Sequence, residues 1–108
     1  METCDVSEKF YVYVLYSLKD HGLYIGFTTN LKKRLTTHSK GQSVATKNRT
    51  PLKLIHYEYF VDKADAKARE VFLKSGFGRQ QLNQVLKKTF ETYLKTKSGF
   101  AFRNKRLV

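Results

Sequence analysis

Two stretches near the start of the chain are dense in β-branched and aromatic residues. Phe10 to Leu18, FYVYVLYSL, reads as one strand and Gly22 to Phe27, GLYIGF, as another. The link between them, Lys19-Asp20-His21-Gly22, is short, polar and ends in glycine, which suits a tight hairpin turn. With a loop of Lys19 to His21, Leu18 faces Gly22 and Tyr16 faces Tyr24, so the two tyrosines are expected side by side on one face. A different loop length would change that pairing. Helical spacing follows in TTNLKKRLTTHSKG, with Thr29 or Asn30 as cap and an end near Gly41. Leu31 and Leu35 form its apolar stripe; Arg34 and His38, four apart, share the adjoining face. A polar, basic loop from Gln42 to Pro51 leads to LKLIHYEYFV, Leu52 to Val61, a third strand. Asp62 is placed to cap the helix KADAKAREVFLKS, whose Ala64, Ala68, Val71 and Phe72 are expected against the sheet, with Gly76 and Gly78 ending it. From Arg79 to about Lys95 the spacing of Leu82, Val85, Leu86, Phe90, Tyr93 and Leu94 predicts a third helix. Three strands interleaved with three helices make an α/β chain of the α+β kind.

Length and composition narrow this picture. A chain of 108 residues has room for one core. The expected organisation is an N-terminal arm (1–9), one domain (10–95) and a basic C-terminal tail (96–108). The single cysteine, Cys4, excludes an internal disulfide and a cysteine-built zinc site. Neither a signal peptide nor an apolar run of membrane-spanning length is readable, so a cytoplasmic chain without a membrane partner is expected. Charge is the strongest compositional signal. Residues 1–30 carry two basic and four acidic residues, so 19 of the 21 basic and 5 of the 9 acidic ones lie in 31–108. A formal net charge of +12 attracts polyanions, of which nucleic acid is the commonest in the cytosol. A merely solvated basic surface has the same composition.

The motifs give the charge a direction. VLY followed by LYIG, then TTNLKKRLTTH, resembles the start of a GIY-YIG nuclease domain. The resemblance runs from about Phe10 to Arg79 and is nearest to small stand-alone members related to the nuclease domain of the nucleotide-excision repair endonuclease. ATKNRTPLKLIHYE and AREVFLKSGFGR resemble later blocks of those small proteins. Tyr24-Ile25-Gly26 matches outright, whereas Val14-Leu15-Tyr16 is a loose version of the first triplet. The ordered set Tyr, Tyr-Ile-Gly, Arg-x-x-x-His and a helical Glu is more specific than any triplet. The resemblance implies a three-stranded antiparallel sheet flanked by helices and a divalent-metal-dependent phosphodiesterase. Its catalytic set is Tyr16, Tyr24, Arg34, His38 and Glu70.

Each residue type suits its implied role. Arg34 stays charged at any working pH and offers a planar fork to a phosphate. Glu70 is a hard ligand for Mg2+ or Mn2+, with water and phosphate oxygens completing the shell. Tyr16 is the base by resemblance, Tyr24 orients water or phosphate, and His38 accepts or relays a proton. An ordinary tyrosine is ionised in about one molecule per thousand at pH 7, so an exchange of roles with His38 stays open. Phe27 stands where the excision-repair domain has a lysine. Tyr11, Tyr13, Tyr57 and Tyr59 read as sheet packing, His21 and His56 as structural, and Gly26 as a point of close approach. Lys32, Lys33, Lys47, Arg49, Lys74 and Arg79 are the expected phosphate contacts. The function implied is endonucleolytic cleavage of DNA, or of RNA, with structure-dependent or weak sequence specificity in repair or recombination, and with no small-molecule cofactor. The alternative is an inactive nucleic-acid-binding or accessory module on the same fold.

Overall fold

The computed structural model describes residues 8–95; the cysteine, most of the expected arm and all of the expected tail lie outside them. Three antiparallel strands, β1 (Phe10–Ser17), β2 (Leu23–Thr28) and β3 (Leu52–Phe60), form one sheet in the order β2-β1-β3. Helix α1 (Leu31–Ser39) joins β2 to β3, and α2 (Lys63–Leu73), α3 (Gly76–Val85) and α4 (Lys87–Lys95) follow. The chain divides after Glu70 into two compact units. No described helix is long and apolar enough to cross a membrane.

The hairpin departs from the expected register. Tyr24 lies opposite Leu15, Tyr16 opposite Leu23, and Tyr13 opposite Gly26. Ser17 is the cause. Its Oγ accepts from the backbone N–H groups of Lys19 (3.1 Å) and Asp20 (3.0 Å), so the turn opens one residue before Leu18. His21 then takes the left-handed position at φ 62°, and the His21 N–H closes on the Ser17 carbonyl at 2.8 Å. Because side chains alternate along a strand, one residue of slip moves a tyrosine to the other face. Tyr16 and Tyr24 therefore lie on opposite faces.

One face of the sheet carries Tyr11, Tyr13 and Leu15 of β1 with Tyr24 and Gly26 of β2. The other carries Phe10, Val12, Val14 and Tyr16 with Leu23, Ile25 and Phe27. Central β1 is covered on both sides, Val12 and Val14 fully and Tyr13 and Tyr16 nearly so. Asn30 caps α1, its side chain accepting from the Lys33 N–H at 3.0 Å. The inward stripe of this helix is Leu31, Arg34, Leu35 and His38, of which His38 is fully buried. Gly41, at φ 70°, lies just past the helix end.

Helix α2 also differs from expectation. Asp62 accepts from the Ala64 N–H at 2.8 Å, as a cap should. Ala64, Ala68, Val71 and Phe72 are nonetheless exposed, and the covered stripe is Ala66, Arg69, Glu70 and Leu73. An ion pair explains the rotation. Arg69 grips Glu58 of β3 through two hydrogen bonds (2.8 and 3.1 Å), and Lys67 lies 4.3 Å over the Phe27 ring.

In the second unit, the single helix expected from Arg79 is two. Ser75 caps α3 by accepting from the Gly78 N–H at 3.1 Å, so the helix starts at Gly76 and takes in both expected breakers. A side chain at Gly78 would run into the Phe72 carbonyl and the Leu73 backbone, which is why glycine sits there. Leu86 ends α3 and α4 begins at once.

Candidate active site

The face of the sheet that meets α1 holds a connected polar cluster. Tyr13 projects from the middle of β1, and its hydroxyl lies 2.9 Å from His38 Nε2. His38 Nδ1 is 2.6 Å from the hydroxyl of Thr46, itself fully buried. Arg34, one turn before His38, donates from Nε to the Tyr13 hydroxyl at 3.4 Å and lies within electrostatic range of Tyr24. The Tyr24 ring sits 5.3 Å from His38 and 6.3 Å from Tyr13. Glu70, on the covered stripe of α2, places its negative charge within range of Tyr13. Its side chain is 15 % exposed, and its Oε1 lies 3.6 Å from Lys67 Nζ.

Gly26 is what allows this arrangement. A β-carbon there would collide with the Tyr13 ring and hydroxyl. The absence of a side chain on β2 is therefore the space that Tyr13 fills, a close approach of the kind the sequence suggested for this glycine.

Thr46 is delivered by the polar loop between α1 and β3. Tight turns bond Thr46 and Lys47 back to the Ser43 carbonyl and Arg49 back to Thr46. The loop is tied to the hairpin by Ser17 Oγ donating to the Arg49 carbonyl (2.7 Å) and by the Leu18 N–H donating to Pro51 (2.9 Å).

The electrostatics of the cluster are set by burial. Tyr13 is pushed above the ordinary tyrosine range mainly by desolvation, with the charges of Tyr24 and Glu70 adding to it and Arg34 opposing. His38 is held below the usual histidine value by desolvation and then by the positive charge of Arg34. Arg34 is raised, chiefly by its hydrogen bond to Tyr13. At neutral pH the resting cluster is a neutral phenol against a neutral imidazole, beside a fixed cation.

Among the expected site residues, the structure gathers Tyr24, Arg34 and His38 and brings the charge of Glu70 to bear on the same phenol. Tyr16 is not with them. It is buried on the other face, with its hydroxyl 3.0 Å from His21 Nδ1 at the turn. Tyr13, which reads as packing in the sequence, occupies the place expected of Tyr16. Thr46 was also missed. A buried threonine in a polar loop gives no sequence signal, whereas the turn-opening Ser17 could have indicated the correct register.

The expected phosphate contacts separate as well. Lys33 lines a groove of about 370 Å3 with Arg34, Thr28, Thr29, Asn30 and Thr37. Lys32 lines a neighbouring one, and Lys47 is exposed. Arg49 is committed to Asp20 through bonds of 2.7 and 3.1 Å, which hold the Asp20 carboxyl at about 2. Lys74 and Arg79 belong to the second unit, where Lys74 is exposed and Arg79 half-buried. His56, read as structural, bonds Glu58 at 2.9 Å.

Among the described residues no three His, Cys, Asp or Glu side chains converge to hold a metal. A single carboxylate fits only an ion that keeps most of its water and takes ligands from a bound phosphate, as Mg2+ does. Glu70 meets that condition.

Comparison with known proteins agrees with this architecture. The family model described as the GIY-YIG catalytic domain matches residues 9–84. A UPF0213 protein of Clostridium perfringens is 38% identical over 82 residues, which is 75% of this chain and 87% of that protein. A UPF0213 protein of Limosilactobacillus reuteri is 45% identical over 78 residues, 69% of this chain and 80% of its own length. The solution NMR structure of a UPF0213 protein from Bacillus halodurans matches with a TM-score of 0.50 at 29% identity, covering 82% of this chain and 97% of that one. With its YIG glycine beneath a buried tyrosine and with this family match across most of its length, the chain belongs to the GIY-YIG catalytic domain family, a nuclease superfamily.

Proposed function

We propose that the protein is a metal-dependent endonuclease that hydrolyses phosphodiester bonds in nucleic acid, with Tyr13 taking the part first given to Tyr16. The observation that carries this reading is the convergence of Tyr13, Tyr24, Arg34 and His38 on one face, with Glu70 in electrostatic range. Arg34 holds the scissile phosphate in ground and transition states. Tyr24 orients the phosphate or the attacking water. Glu70 would hold Mg2+ or Mn2+, which supplies charge neutralisation at the leaving oxygen when bound.

Magnitudes decide how the water loses its proton. A phenol with a pKa of 10 is ionised about once per thousand molecules at pH 7, a barrier cost of roughly 4 kcal/mol. Tyr13 is raised above that value, so a free phenolate is scarcer still. A relay avoids the penalty. The phenol passes its proton to neutral His38 Nε2 as its oxygen takes one from the water, and the resulting hydroxide attacks phosphorus as the leaving oxygen departs. Thr46 acts as a positioning residue by fixing the imidazole from its far side.

The decisive variant is Glu70→Ala, compared with wild type in cleavage assays with Mg2+ or Mn2+ and in binding assays with EDTA. Cleavage is expected to fall by at least a hundredfold, because the ion loses its protein ligand. Binding is expected to stay equal or tighten, because a negative charge has left a phosphate site. Absence of metal-dependent cleavage by wild type on single-stranded, duplex and branched substrates would favour the binding-module alternative.

A further inference from the structure

The face of the sheet that bears the cluster extends beyond it. Tyr59 of β3 pairs with Tyr11 and Tyr57 pairs with Tyr13, so all four tyrosines share one face. Tyr11 contacts both rings of β3, with centroids 6.0 Å from Tyr57 and 5.6 Å from Tyr59. Tyr57 and Tyr59 are 50% and 45% exposed. Large aromatic rings this open on an outer strand are not completing the core.

The chemistry around them is one-sided. Strands β1 and β2 and helix α1 contain no acidic residue. The one acid of β3, Glu58, pairs with Val12 on the opposite face and is bound by Arg69 and His56. A groove of about 520 Å3 runs from Tyr11 to the start of α1, lined by Lys9, Lys32, Leu31 and Leu35. It shares Thr29 and Asn30 with the groove that holds Arg34. Open rings, two lysines and a path to the candidate phosphate ligand are therefore continuous.

We propose that Tyr57, Tyr59 and Tyr11 form a stacking platform for unpaired bases, so that the substrate is single-stranded nucleic acid or a single-stranded segment beside a junction. Lysines alone would serve a duplex, whose phosphates lie outside and whose bases are sealed within the stack. Exposed tyrosines find a partner only where base faces are free. Neighbouring rings on alternate residues of β3 stand about 7 Å apart, enough for successive bases of an extended strand. The proposal rests on the nuclease reading only for what happens after binding.

The test is fluorescence anisotropy in EDTA with a labelled single-stranded DNA 12-mer, the same sequence as RNA, and the DNA duplex. The expected result for Tyr57→Ala and Tyr59→Ala is roughly tenfold weaker binding of single strands for each ring lost, within the range of base–aromatic stacking. Duplex binding and the dependence of log affinity on log salt should stay as in wild type. Tyr57→Phe with Tyr59→Phe should restore single-strand affinity. Comparison of the DNA and RNA oligomers assigns the sugar. Equal affinity of wild type and the double alanine variant for single strands would overturn the platform, as would equal losses on single strand and duplex. So would a dimer, seen by sedimentation, that these substitutions dissolve while oligonucleotide binding is untouched. Cleavage without tyrosine-dependent binding removes the platform and keeps the nuclease. Tyrosine-dependent binding without cleavage keeps the platform and removes the nuclease.

Discussion

At the residue scale, the exchange of Tyr16 for Tyr13 is the most consequential result. Both are buried tyrosines of β1 with a histidine on the hydroxyl, yet the histidines differ: His38 lies on the α1 side and His21 in the turn. Tyr13→Phe is expected to lower turnover at least a hundredfold with the fold intact, because under the proposed mechanism it removes the group that would pass the proton of water to His38. Tyr16→Phe should leave turnover near wild type and cost about 1 kcal/mol of stability for a lost hydrogen bond. Steady-state cleavage and urea midpoints measured on both variants distinguish the two tyrosines. His38 carries a pH consequence. Its folded pKa lies below the ordinary 6.5, so the unfolded chain binds the proton more readily. Stability from a neutral His38 is complete above about pH 6.5 and declines as pH falls below it. Thermal unfolding from pH 7.5 to 5 should show a decline in Tm that His38→Gln makes shallower.

At the element scale, small residues hold large ones in place. Gly26→Ala inserts a methyl into the Tyr13 ring, so a loss of about 1–3 kcal/mol is expected together with lowered activity. A variant with wild-type stability and turnover would show that β2 can yield where the register says it cannot. Asn30→Ala removes the cap of α1, which carries Arg34, His38, Lys32 and Lys33. About 1 kcal/mol of stability should be lost by denaturant titration. Caps and turns of this kind were legible, since Asn30, Asp62 and Gly41 act where the chain suggested. The covered stripe of α2 was not. Propensity favoured its alanines and Phe72, whereas the grip of Arg69 on Glu58 turned a charged pair of positions inward and brought Glu70 with it.

At the scale of the whole molecule, the proposed function separates binding, which charge would govern, from cleavage, which one carboxylate would govern. An affinity built on phosphate contacts should fall steeply with salt, with log affinity linear in log salt. Replacing Lys32 and Lys33 with glutamine should flatten that line by about one to two in slope, measured by anisotropy titration. Arg49→Gln should change it little, because Arg49 is already neutralised by Asp20.

What the sequence by itself determined is the set of parts. Periodicity gave three strands and the first two helices; the ordered motif gave the family, and the resemblance pointed to Tyr24, Arg34, His38 and Glu70, of which Arg34 and His38 share a helix face because i and i+4 positions do so in any fold. Only the tertiary structure decided which tyrosine of β1 joins them. That choice depends on a single hydroxyl: Ser17 opens the turn one residue early, and in a sheet one residue exchanges the two faces. Thr46 belongs to the same class. It reaches His38 because a polar loop folds back onto the hairpin, a long-range contact that no spacing along the chain encodes.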